Sequence, residues 1–219
     1  MAGVAIFDIN ETTLDLSPAR AVVDELLGPR GFDLFFGRLL QTSMVVTATD
    51  SYQDFGALAA SALDSAAQTV GVVLPDDGVD RFGAAMASLP VYPDVPAGLD
   101  RLKAADWTLV ALTNSARTSV EAQLAGAGVA DRFDHILSVE GVRAFKPVAA
   151  PYRMALDRLG VGAGDALMVA CHDWDLAGAK KVGLRTAFVT RPGMAFGAAF
   201  PPADHTVADF GALADQLLA

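Results

Sequence analysis

Val4-Ala5-Ile6-Phe7-Asp8-Ile9-Asn10-Glu11-Thr12-Thr13 is the stretch on which the fold turns. Val4, Ala5, Ile6 and Phe7 make a continuous apolar run, and the turn-prone residues from Asn10 onward close it, which reads as a buried strand with a polar exit. Asp8 stands at the carboxyl end of that strand, where open α/β sheets place their ligands. Asn10, two residues on, carries an amide that does not titrate. An aspartate nucleophile here would have a neighbour unable to act as an acid.

Outward from this strand the pattern changes. Residues 18–89 show helical spacing, with Val22, Leu26 and Leu27 on one face. Phe32, Phe35, Phe36, Leu39, Leu40 and Met44 follow, then Phe55, Leu58, Ala62 and Leu63, and Gly28-Pro29 and Pro75-Asp76-Asp77-Gly78 punctuate them. The spacing predicts about four helices and no strand in this stretch. Pro90-Val91-Tyr92-Pro93-Asp94-Val95-Pro96 reads as a return linker. Beyond it, strands at 107–113, 135–139, 166–170 and 186–190 alternate with helices at 119–127, 151–159 and 176–182. That alternation predicts an α/β fold with a doubly wound parallel sheet, Rossmann-like in kind, and an all-helical insertion after its first strand. Residues 1–14 and 93–219 would form the core domain, and 15–92 the helical cap domain.

The bulk properties narrow the function. The chain has 219 residues, ample for a large core, and a net charge of −10 that disfavours nucleic acid and anionic membranes as partners. A small anionic substrate remains compatible with a locally positive site. No stretch has the length or apolarity of a membrane span, and no signal peptide is visible. A single cysteine, Cys171, rules out an internal disulfide framework and suits a reducing cytoplasm. The aromatic helical stretch could also serve a homodimer interface.

Chemistry-bearing residues stand at four points along the α/β part: Asp8, Thr113-Asn114-Ser115, Lys146-Pro147 and Cys171-His172-Asp173-Trp174-Asp175. Taken singly each has an ordinary reading, as a turn residue, a solvated lysine or a helix cap. In this order they resemble the four motifs of the haloacid dehalogenase superfamily, with Phe7-Asp8-x-x-x-Thr12, Leu112-Thr113-Asn114, Lys146-Pro147 and Asp175-Leu-Ala-Gly-Ala-Lys-Lys-Val-Gly carrying the likeness. The resemblance implies a helical cap and an aspartate that forms a covalent ester or acylphosphate, later hydrolysed by water.

Within that superfamily the chain is similar to the 2-haloacid dehalogenase branch. Phosphatases of the superfamily carry a second aspartate where this chain has Asn10, and a magnesium-binding carboxylate where it has Cys171. A thiol suits magnesium poorly, although Asp173 could lend a carboxylate. Halide needs no protonation on leaving, so dehalogenation tolerates both changes. The resemblance implies Asp8 as nucleophile, with Thr12, Lys146 and Asp175 as its catalytic supports, and neither metal nor cofactor. It assigns Thr113 to the substrate carboxylate, Asn114 to halide, and Tyr152 and Asn10 to the pocket of a short 2-haloacid. Tyr52-Gln53-Asp54-Phe55 resembles the branch's aromatic-acidic cap segment. The branch's cap arginine is missing: Phe36 holds its place and is expected to line the pocket. Arg38, about 200° further round the helix, is a weaker substitute. The branch's serine and asparagine before the last aspartate become Ala170 and His172, and His172 could replace the lost arginine as a donor. A magnesium-dependent phosphatase and a non-catalytic binding protein are the alternatives.

Overall fold

The apolar run is β1 (Val4–Phe7), buried throughout. In the computed structural model, which describes residues 3–219, it lies inside a six-stranded sheet. The other strands are β2 (Thr108–Thr113), β3 (His135–Ser138), β4 (Ala166–Ala170), β5 (Arg185–Val189) and β6 (His205–Val207). Their order is β3-β2-β1-β4-β5-β6, parallel throughout, with Phe7 in register with Ala111 on one side and Val169 on the other. The order therefore reverses at β1, so Asp8 opens onto the crevice where such sheets bind ligands.

Between β1 and the rest of the sheet lie α1 (Ser17–Leu27), α2 (Gly31–Ala48), α3 (Phe55–Val70) and α4 (Gly78–Ala87). They bury Phe32, Phe35, Leu39, Leu58, Leu63 and Phe82. Asp54 starts α3 by accepting hydrogen bonds from the amides of Gly56 and Ala57, and Gly71 ends it in the left-handed region. The sheet is covered by α5 (Val95–Ala104), α6 (Arg117–Gly126), α7 (Ala149–Leu159), α8 (Asp173–Val182) and α9 (Phe210–Leu218). Alternation along β1 sends Ala5 and Phe7 into one apolar layer with Leu99, Val120 and Phe210, and Ile6 into another with Tyr152, Leu156 and Leu176.

Two expectations need correcting. The proline-rich segment is a linker only up to Asp94: Pro96 falls in the first turn of α5, where its fixed φ and missing N–H suit a helix start. The sheet and its cover also extend further than the periodicity indicates, through β6 and α9; β6 has three residues, too few for a periodic signal. Among the described residues no helix is long and apolar enough to cross a membrane.

Candidate active site

Asp8 and Lys146 come together because β1 and the loop before α7 meet at the sheet edge. Lys146 Nζ lies 2.8 Å from Asp8 Oδ1, 2.7 Å from Asp175 Oδ2 and 3.1 Å from the Leu112 carbonyl. All three ionisable side chains are buried. Burial pushes the Asp8 carboxyl up, but the Lys146 ammonium and His172 outweigh it and hold it well below the usual carboxylate range. Burial likewise works against the Lys146 ammonium, and Asp175 and Asp8 overcome it, leaving its pKa raised. Asp175 is pushed up by desolvation despite Lys146. Asp8 is thus held as a carboxylate despite its burial.

The other oxygen, Asp8 Oδ2, accepts a hydrogen bond from Thr12 Oγ1 at 2.8 Å, and Thr12 Oγ1 in turn accepts from the Cys171 amide at 3.0 Å. The Thr12 carbonyl is held by Arg191 through Nε at 3.0 Å and Nη2 at 2.8 Å. The Tyr152 hydroxyl donates to Asp175 Oδ1 at 2.6 Å and to the Asp175 carbonyl at 3.0 Å. Tyr152 is fully buried and its hydroxyl is spent on Asp175, orienting that carboxylate.

His172, at the start of α8, sits between two carboxyl groups. Its Nδ1 is 3.2 Å from Asp8 Oδ2 and its Nε2 2.9 Å from Glu11 Oε2. Burial opposes charge on the ring, but Cys171, Asp8 and Glu11 together raise its pKa well above the ordinary histidine value. Its ring stacks on Trp174 at 5.1 Å and lies 6.1 Å from Phe36. Glu11 itself is buried and has a φ of 62°, in the left-handed region that non-glycine residues avoid. Sequence reasoning misses Glu11, which looks like one more polar turn residue. A carboxyl group within the motif of a nucleophile, in a chain with an unexpected histidine, is the available signal.

Beside this cluster a cavity of about 440 Å³ opens between the helical unit and α6. Phe32, Phe35, Phe36, Leu39, Phe55 and Phe82 contribute to its apolar wall, and Asn10, Asp54, Ser115, Ser119 and Gln123 are its polar lining. Asn10 Nδ2 donates to Ser115 Oγ at 3.2 Å, while its Oδ1 is buried without a partner. Thr113 Oγ1 accepts from the Ser115 amide at 3.1 Å and so shapes the turn. Asn114 Oδ1 accepts from the Lys146 amide at 3.0 Å and so fixes the lysine loop. Arg38 does not reach the cavity: its Nη1 and Nη2 bond Ser65 Oγ at 2.8 Å and Thr69 Oγ1 at 2.6 Å on α3. That placement removes it as the arginine substitute.

Two contacts tie the lysine loop to its surroundings. The Phe145 amide donates to Thr47 Oγ1 at 3.0 Å, and the Phe145 ring stacks on Tyr52 at 5.0 Å and lies 5.4 Å from Phe55. On the other side Gly178 of α8 admits Pro147: a Cβ there would stand 2.7 Å from Pro147 Cβ and 2.8 Å from Tyr152 Oη. Gly178→Ala is expected to cost about 1–3 kcal/mol through overpacking. Urea unfolding would measure the loss, and an unchanged midpoint would refute this view of the α8 contact.

The site does not fit a magnesium ion. Asp8 is already held by an ammonium, a hydroxyl and an imidazole, and Asp173 directs Oδ2 to the Gly197 amide at 2.9 Å. Cys171 places its sulfur beside His172. A hard cation would meet two positive groups and a thiol in place of oxygen ligands.

The profile of the haloacid dehalogenase-like hydrolases matches residues 3–183. (S)-2-haloacid dehalogenase 4A of Burkholderia cepacia is 32% identical over 170 residues, covering 78% of this chain and 74% of that protein. (S)-2-haloacid dehalogenase 1 of Pseudomonas sp. (strain CBS-3) is 29% identical over 216 residues, covering 97% of this chain and 95% of its own length. A dehalogenase solved with an intermediate complex has a TM-score of 0.89 to this chain at 29% identity, covering 97% of this chain and 96% of that one.

Proposed function

The chain belongs to the haloacid dehalogenase-like hydrolases, in the 2-haloacid dehalogenase branch, and from that premise we propose that it hydrolyses the carbon–halogen bond of a 2-haloacid through an ester on Asp8, without a metal. One observation carries the reading: a buried carboxylate kept ionised by Lys146 and His172, on the same loop as Asn10, which lines an apolar cavity. An ionised carboxylate can displace halide directly, and halide leaves without a proton. Asp8 attacks the halogen-bearing carbon from the side opposite the halogen. Lys146 holds the attacking group, Asp175 holds Lys146, and Tyr152 holds Asp175. His172 supplies the positive charge that the missing cap arginine would bring. The backbone of the turn at Thr113, Asn114 and Ser115, with Asn10, takes the substrate carboxylate. Residues 15–92 act as the cap that closes the cavity.

The cavity refines the substrate. Its volume of about 440 Å³ is more than a two-carbon acid fills, so the preferred acid carries an alkyl tail along Phe32, Phe35 and Leu39. Burying each methylene at about 0.8 kcal/mol raises kcat/KM about fourfold per carbon until the wall is reached. The test is halide release from chloroacetate, 2-chloropropanoate, 2-chlorobutanoate and 2-chlorohexanoate, with and without chelator, alongside a phosphate-ester panel. Chelator-insensitive halide release that grows with tail length is expected. Magnesium-dependent phosphate release with no halide would replace this reading with the phosphatase one.

A further inference from the structure

We infer that Arg191 is a positioning residue for the nucleophile, acting on Asp8 through Thr12. The inference rests on the dehalogenase reading above and adds to it a residue set behind the reacting atoms. Arg191 lies just beyond β5 and is buried, and each of its guanidinium nitrogens is bonded. Nε and Nη2 converge on the Thr12 carbonyl, at 3.0 and 2.8 Å, while Nη1 lies 2.8 Å from Asp94 Oδ1. The guanidinium stands over the Tyr92 ring at 4.0 Å, with the Phe210 ring at 5.3 Å. Asp94 Oδ2 in turn accepts from the Phe210 amide at 2.9 Å.

The two oxygens of Thr12 have separate tasks. Its hydroxyl donates to Asp8 Oδ2 and accepts from the Cys171 amide, and its carbonyl takes the Arg191 fork. Thr12 is fully buried, so a carbonyl released by Arg191 has no water to turn to and must rotate towards another donor, carrying the hydroxyl with it. Asp8 Oδ2 then swings from its line of attack, a small misplacement of the kind that costs about 10²-fold in rate. The fork also holds Thr12 against a fixed point. Just beyond Thr12 the outgoing and returning segments of the helical unit are joined, the Asp15 amide donating to the Pro90 carbonyl at 2.8 Å and the Tyr92 amide to the Thr13 carbonyl at 3.2 Å. Arg191 grips Thr12 on the way out and Tyr92 and Asp94 on the way back. An ammonium could pair with Asp94, but a planar fork alone spans carbonyl and carboxylate while lying flat against a ring. A structural ion pair would need only Asp94, yet two of the three nitrogens go to the residue that holds the nucleophile.

The test is a double-mutant cycle on chloride release from 2-chloropropanoate, using wild type, Arg191→Met, Thr12→Val and the double variant. Arg191→Met is expected to lower kcat about 10²-fold with KM little changed. In the Thr12→Val background the same substitution is expected to change kcat by less than about twofold, because the link it acts through is already cut. Arg191→Lys, which keeps a cation beside Asp94, replaces Arg191→Met in the cycle if the latter does not melt cooperatively, and is expected to lose kcat in the same way. Losses that multiply in the double variant, a loss confined to KM, or wild-type kcat in a folded Arg191 variant would each overturn the inference. Failure of both Arg191 variants to fold would overturn it too, by making the guanidinium a requirement of the fold alone. In each of these cases chloride release by wild type leaves the dehalogenase reading standing, whereas a wild type that releases none sinks that reading and this one with it.

Discussion

Asp8→Asn is expected to end turnover, with kcat lower by about 10⁴-fold or more and no covalent adduct on any haloacid. An amide has no anionic oxygen with which to displace halide. The fold should survive, because Lys146 keeps Asp175 and the Leu112 carbonyl, and His172 keeps Glu11. Chloride release and peptide mass analysis check this together, the latter guarding against deamidation back to aspartate. Turnover at the wild-type rate by Asp8→Asn protein with its amide intact would remove Asp8 from the mechanism.

Lys146→Met should be the most damaging substitution to stability as well as to rate. It leaves Asp8 and Asp175 buried without their shared cation, which costs about 3–5 kcal/mol. The pH dependence separates this from simple misfit. In the wild type the folded-state pKa of Asp8 is depressed, so its stabilisation is fully present above about 3.9 and is lost as pH falls through the folded value. In Lys146→Met burial prevails and the Asp8 pKa rises, so the variant gains stability relative to wild type as pH falls from neutral towards about 4. Urea unfolding across that range reads the difference. A gap between the two proteins that is constant with pH would contradict the ion-pair account.

Much of this architecture is legible in the amino-acid sequence. β1 announces itself through Val4 to Phe7, and Asp8, Lys146 and Asp175 stand at the ends of readable strands or loops. What escapes depends on partners far away in sequence. Glu11 looks like a solvated turn residue, and its burial follows from a histidine 161 positions later. Nothing local to Tyr152 announces that its hydroxyl lies on Asp175, a contact made only when α8 packs over it. β6 and α9 are hidden in a terminal stretch whose short strand borrows its order from β5. Arg38 can be placed on its helix by rotation, but Ser65 and Thr69 on α3 decide where its guanidinium goes.

The grip of Thr47, Tyr52 and Phe55 on Phe145 makes the helical unit a bearing for the lysine next door. Reshaping the aromatic wall at Phe32 or Leu39 would alter which tail is accommodated while leaving that bearing alone. Changes at Thr47 or Tyr52 would instead loosen the alignment of ammonium and carboxylate for every substrate alike. Selectivity and reactivity are therefore inherited through different residues of the same insertion, and can drift apart without either being lost.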